Sequence, residues 1–124
     1  MKRDLDLMRK MLLRIEEKGG VPPSTLSIED FLDLCDQPYV LSLHIDLLRD
    51  AGFIEAVGPS YDGDMRDYDI IRITLQGYEY LEAVRNARIW KSVKDKIAVI
   101  GGATLDIVKA LAVEQAKDIL HMRG

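Results

Sequence analysis

A chain of 124 residues, 48% of them hydrophobic, is long enough to bury roughly two-thirds of its unfolded surface, so it can fold without a covalent staple. Cys35 is the single cysteine, which excludes an internal disulfide and suits a reducing cytoplasm. The net charge of −4 is spread unevenly: residues 1–20 hold six basic and four acidic side chains, residues 21–60 hold Arg49 against seven acids, residues 61–86 three against six, and residues 87–124 seven against four. An acidic centre between basic ends is an awkward layout for a protein that lies along a polyphosphate.

The opening M-K-R-D-L-D is charged and then amphipathic, without the apolar run of a signal peptide or a membrane span, so a cytoplasmic protein without membrane contact is expected. Leu5, Met8, Leu12 and Ile15 recur at helical spacing and predict a first helix over 4–18, ended by Gly19-Gly20. Val21-Pro22-Pro23-Ser24-Thr25 is a connector that its prolines keep out of a helix. Ser27 opens a Ser-x-x-acid start, and Ile28, Phe31, Leu32 and Cys35 predict the inner face of a short second helix, with Asp36-Gln37 as the turn after it.

The chain is organised around the next stretch, Pro38 to Ala56. Pro38 suits a first helical position, and Leu41, Ile45 and Leu48 mark the buried face of a third helix. Gly52 then sits where a C-cap belongs, and Phe53-Ile54-Glu55-Ala56-Val57 reads as a strand. Gly58 to Asp64 is dense in turn formers, and Tyr68 to Thr74 alternates with Ile71 and Ile73 on one face, so a β-hairpin with a long tip is expected. Thr74 can cap a helix containing Tyr78, Leu81 and Val84, in which Gly77 allows close backbone approach. Helices over 88–100 and from 104 onward follow, separated by Gly101-Gly102. The expected fold is mainly α with a small β-hairpin: a winged helix-turn-helix core over residues 1–86, then a C-terminal helical extension over 87–124 in the same compact domain.

Three pieces carry a family resemblance: M-K-R-D-L-D-L-M-R-K-M-L-L-R-I-E at the start, L-H-I-D-L-L-R-D-A-G-F-I-E in the centre, and I-T-L-Q-G-Y-E-Y-L-E-A-V-R-N-A-R-I-W-K later. Together they resemble an uncharacterised family of short bacterial proteins, frequent in phages and prophages, that start Met-Lys-Arg-Asp and are regarded as winged-helix-like. The resemblance covers almost the whole chain and implies a fold and a genetic setting, but no activity. Asp46 departs from relatives that are often basic at this position, which puts direct DNA contact by the third helix in doubt.

If Leu41, Ile45 and Leu48 point inward, helical geometry turns Tyr39, Ser42, Asp46, Arg49 and Asp50 outward. Tyr39, Ser42 and Arg49, with Arg66 from the wing and Lys2 and Arg3 from the N-terminus, are the candidate contacts to double-stranded DNA. The wing tip opposes this, because Asp62, Asp64, Asp67 and Asp69 surround Arg66. Their irregular spacing does not fit a calcium loop, and His44, His121 and Cys35 are too scattered for a metal site, so no metal or cofactor is expected. His44, at the border of the buried side, reads as a hydrogen-bonded structural histidine. No phosphate-binding glycine loop and no nucleophile with an adjacent base can be assembled, so an enzyme is not expected.

The last two helices are apolar over much of their circumference. Trp90, Val93, Ile97, Leu105, Val108, Leu111, Ala112 and Ile119 are the candidate interface of a homodimer; the alternative is that they pack on the first helix. The expected function is a DNA-binding transcriptional regulator of phage or prophage type that uses the winged helix-turn-helix; the alternative is a non-enzymatic protein-interaction module with an acidic winged-helix face.

Overall fold

In the computed structural model, which describes residues 2–19 and 24–123, the first helix starts where the Asp4 carboxylate accepts the Leu7 N–H at 3.1 Å. This helix, α1 (Leu5–Lys18), buries Leu7, Met8, Met11, Leu12 and Ile15, and Gly19 closes it through a 2.7 Å bond from its N–H to the Ile15 carbonyl. Each apolar side chain so buried contributes about 1.5–3 kcal/mol, which is why a helix of this length holds. Gly20 and the Val21-Pro22-Pro23 part of the expected connector lie outside the described residues.

The expected second helix is shorter than its apolar pattern predicts. Residues Ile28–Phe31 form a single 3-10 turn, with Ile28 and Phe31 buried but Leu32 exposed. The cause is visible in the hydrogen bonding. An α-helix would give the Asp30 carbonyl to the Leu34 N–H; here Arg14 donates to that carbonyl at 2.5 Å, and the Leu34 N–H bonds to Phe31 instead, at 2.9 Å.

Next comes α2 (Pro38–Asp50), with Leu41, Ile45 and Leu48 fully buried as the spacing predicts. Its end is a Schellman motif: the Gly52 N–H bonds to Arg49, the Phe53 N–H bonds to Leu48, and Gly52 takes a positive φ of 75°. The chain passes directly into β1 (Ile54–Asp62), which pairs antiparallel with β2 (Met65–Ile73).

Two expectations about this hairpin are corrected. Its tip is short, because Ser60, Tyr61 and Asp62 pair with Asp67, Arg66 and Met65, and a bulge between Val57 and Ser60 absorbs Gly58 and Pro59. On β2 the buried residues are Tyr68, Ile70 and Ile73, with Ile71 only half-buried. The register shifts between Glu55, opposite Arg72, and Ala56, opposite Ile70, which breaks the alternation at Ile71. Leu26 extends the sheet by one bridge, exchanging N–H to O=C bonds with Ile70 at 3.0 and 2.7 Å.

Beyond the hairpin lie α3 (Leu75–Val84), α4 (Ala87–Ile100) and α5 (Leu105–Arg123). The Thr74 hydroxyl caps α3 by accepting the Gly77 N–H at 3.2 Å and also donates to the Gly52 carbonyl. The Asn86 side chain caps α4 by accepting from Arg88 and Ile89 at 2.9 and 3.0 Å. The described residues are thus mainly helical, with one two-stranded antiparallel hairpin.

The chain divides into two compact units, Met1–Tyr78 and Glu79–Gly124. In the first, α1 and α2 pack on each other and on β2, around Met8, Met11, Phe31, Leu41 and Ile45. In the second, α4 packs on α5, where the Ser92 hydroxyl donates to the Gln115 side chain at 3.0 Å.

Candidate interaction surface

Helical period alone turns Ser42 outward on α2, but β2 covers that side of the helix. Ser42 is buried, and its hydroxyl donates to the Arg66 carbonyl at 2.5 Å. One turn on, the Asp46 carboxylate pairs with the Arg66 guanidinium at 2.7 Å; the Asp46 side chain is 13% exposed and that of Arg66 51%. A further turn brings Arg49 over the Tyr68 ring, with its guanidinium carbon 5.0 Å from the ring centroid. Burial holds the Tyr68 phenol above its ordinary pKa, the Asp46 carboxylate pushes it the same way, and Arg49 pulls it back. Residues 42, 46 and 49 follow the i, i+4, i+7 rule, so one helical stripe meets one strand.

What α2 leaves outward is a different stripe. Tyr39 and Asp50 are exposed, Leu43 and Leu47 are half-buried, and Tyr39 is 67% exposed. Of the cations on α2 and the hairpin, Arg49 lies on Tyr68, Arg66 on Asp46, and Arg72 bonds to Glu55 at 2.6 Å. Asp62, Asp64 and Asp69 are exposed on the hairpin, whereas Asp67 is tied down by accepting the Ile28 and Tyr68 N–H groups at 3.1 and 2.8 Å. The outward side of α2 and the hairpin thus carries Tyr39, the half-buried Leu43 and Leu47, the acids Asp50, Asp62, Asp64 and Asp69, and the exposed parts of Arg49 and Arg66.

His44 lies fully buried on the opposite side of α2. Its Nε2 accepts the Asp4 N–H at 2.9 Å and its Nδ1 faces the Val40 carbonyl at 2.7 Å, which assigns the neutral tautomer protonated on Nδ1. The ring ties the start of α1 to α2, as the structural reading of this histidine expects. Beside it, a small cavity of about 180 Å³ is lined by Asp4, Asp6, Leu7, Lys10, Leu34, Cys35 and Val40.

The candidate DNA contacts are not gathered on one face. Lys2 and Arg3 are exposed ahead of Asp4, Tyr39 begins the outward stripe, and Ser42, Arg49 and Arg66 belong to the contact between α2 and the hairpin. The candidate dimer residues lie at the following depths in the single chain. Trp90, Val93, Val108 and Ala112 are buried, and Ile97, Leu105, Leu111 and Ile119 half-buried, within one chain. The exposed apolar side chains of the last two helices are instead Val99, Ile100, Ile107, Val113 and Leu120. Among the described residues, no three His, Cys, Asp or Glu side chains are grouped to hold a metal ion, and no helix is long and apolar enough to cross a membrane.

Sequence reasoning missed that Asp46 pairs with Arg66 and that Arg49 lies over Tyr68, because helical period does not show that the hairpin folds back over this stripe of α2.

Comparison with known proteins places the chain in a family. The family model described as "Hypothetical protein (DUF2513)" matches residues 2–103. A protein of Haemophilus influenzae titled "Uncharacterized protein" is 33% identical over 115 residues, covering 90% of this chain and 92% of that protein. No solved structure matches. With most of its length matched by that model, the chain belongs to the DUF2513 family of hypothetical proteins.

Proposed function

We propose that this chain is a non-enzymatic protein-interaction module built on a winged helix-turn-helix, with the outward stripe of α2 as its docking face. The winged-helix reading is supported by the element order: α1, the Leu26 bridge, a short turn, α2, then the hairpin, with Leu26 as the third strand that such domains carry. The observation that carries the docking reading is the contact between α2 and β2. Asp46 takes Arg66, Tyr68 takes Arg49, and the stripe left outward is Tyr39, Leu43 and Asp50. Phosphate attraction supplies most non-specific DNA affinity, and this face offers little of it.

The second reading is a DNA-binding regulator of phage or prophage type. It is favoured by the winged-helix analogy and by the exposed Lys2, Arg3 and Arg49. Titrating the chain against mixed-sequence duplex DNA across salt separates the two. The docking reading expects no saturable binding even at low salt. The regulator reading expects binding that weakens with a log–log slope of about 0.9 per phosphate neutralised.

A further inference from the structure

The outward side of α5 carries a stripe that matches itself when inverted. Asp106, Ala110, Val113, Lys117 and Leu120 follow one another at intervals of four, three, four and three residues, and every one of them is exposed. Val108 and Ala112, on the opposite side, are buried where α4 packs on α5. An alternation of four and three is the spacing with which one helix seats a second along a continuous seam. Leu120, at the end of this seam, is 68% exposed.

The charges decide how a second helix would lie there. Asp106 and Lys117 are eleven residues apart, about 16 Å along the helix, on either side of a midpoint between Leu111 and Ala112. A two-fold axis through that midpoint lays two α5 helices antiparallel. Asp106 of each copy then meets Lys117 of the other, and Ala110 of each meets Val113 of the other. A parallel pair would instead set Asp106 on Asp106 and Lys117 on Lys117. The flanking charges agree with the antiparallel form: Lys109 borders Ala116 of the other copy on one side, and Glu114 and Asp118 border Ile107 on the other. Antiparallel helices also set opposite dipole ends side by side.

We infer that the occupant of this stripe is α5 of a second copy of the chain, in an antiparallel two-fold pair. The contact is drawn within one helix and uses none of the α2 residues, so it goes beyond the docking reading of that face. It also leaves Val108 and Ala112 packed inside each chain.

The test is a charge exchange read by sedimentation equilibrium of the full-length chain. One helix pair of this length buries less than a standard interface, so the dissociation constant should be about 10–100 micromolar and rise with salt. The wild-type mass should therefore climb from 14.0 kDa towards twice that value as the concentration approaches about 1 mM. Asp106→Lys and Lys117→Glu each place like charges across both contacts, and each alone should weaken the dimer about tenfold. Mixed in equal amounts, they form a hetero-pair in which both contacts are again complementary, and so does the double variant with itself. In both cases the dissociation constant should return to within about threefold of the wild-type value. Both positions are exposed, far-UV circular dichroism checks each fold, and recovery on mixing itself requires folded partners.

A wild-type mass that stays monomeric over the whole range would overturn the proposal, while the docking reading keeps its own DNA test. So would a dimer indifferent to both substitutions, or single variants that stay apart when mixed.

Discussion

The Asp46 carboxylate lies 2.7 Å from the Arg66 guanidinium, joining the middle of α2 to the strand that follows the hairpin turn. The same segment of β2 receives the Ser42 hydroxyl on the Arg66 carbonyl, so a charged and a neutral hydrogen bond act one turn apart. Removing the carboxylate by Asp46→Ala should cost about 1 kcal/mol in urea denaturation, since half-exposure of Arg66 screens the pair. A cost indistinguishable from zero would mean that the hairpin does not depend on this contact.

Gly77 is held against the α2–β1 junction. A Cβ there would stand 2.2 Å from the Phe53 carbonyl oxygen, a backbone atom that cannot step aside without moving β1. Gly77→Ala should therefore destabilise by about 2 kcal/mol or more, read as a lower urea midpoint with unchanged m-value. The same atoms bind the Thr74 N–H at 2.9 Å, so the loss should extend to the start of α3 in hydrogen exchange.

His44→Ala should cost about 3 kcal/mol, because it empties a fully buried site and leaves the Asp4 N–H and Val40 carbonyl without the ring. The readout is chemical denaturation. A loss below about 1 kcal/mol would show that water replaces the imidazole there.

Arg14 grips Asp33 with two bonds of 2.8 and 2.6 Å and holds its carboxyl at about 2, against an ordinary 3.8. The folded value is the lower one, so the stabilisation is complete above the ordinary value and disappears as pH falls through about 2. In Arg14→Ala the Asp33 carboxyl, followed by NMR, should titrate close to its ordinary value. In Asp33→Asn this part of the acid-dependent loss of stability should be gone. An unchanged Asp33 midpoint in Arg14→Ala would contradict the pairing.

Much of this was legible in the sequence, and the failures have specific causes. The α2 helix, its Gly52 end and the passage into β1 follow from a change of period at one glycine, a local signal. The 3-10 turn was not legible, because Arg14, fourteen residues before Ile28, diverts the Asp30 carbonyl that would have extended the helix. Ser42 was misjudged for the same kind of reason: periodicity separates the inner face of a helix from the rest, and a hairpin folded back on the rest leaves no mark on it. Ile71 exchanged places with Ile70 because a bulge shifts the register by one residue.

The measurement that bears most directly on the docking account is salt-dependent binding of the wild-type chain to mixed-sequence duplex DNA, run beside Arg49→Ala and Lys94→Ala. With Arg49 on Tyr68 and Arg66 on Asp46, the account predicts no saturable binding at low salt and no difference among the three proteins. Wild-type binding that weakens with a log–log slope of about three or more, and is lost in Arg49→Ala but kept in Lys94→Ala, would contradict it and assign α2 to DNA.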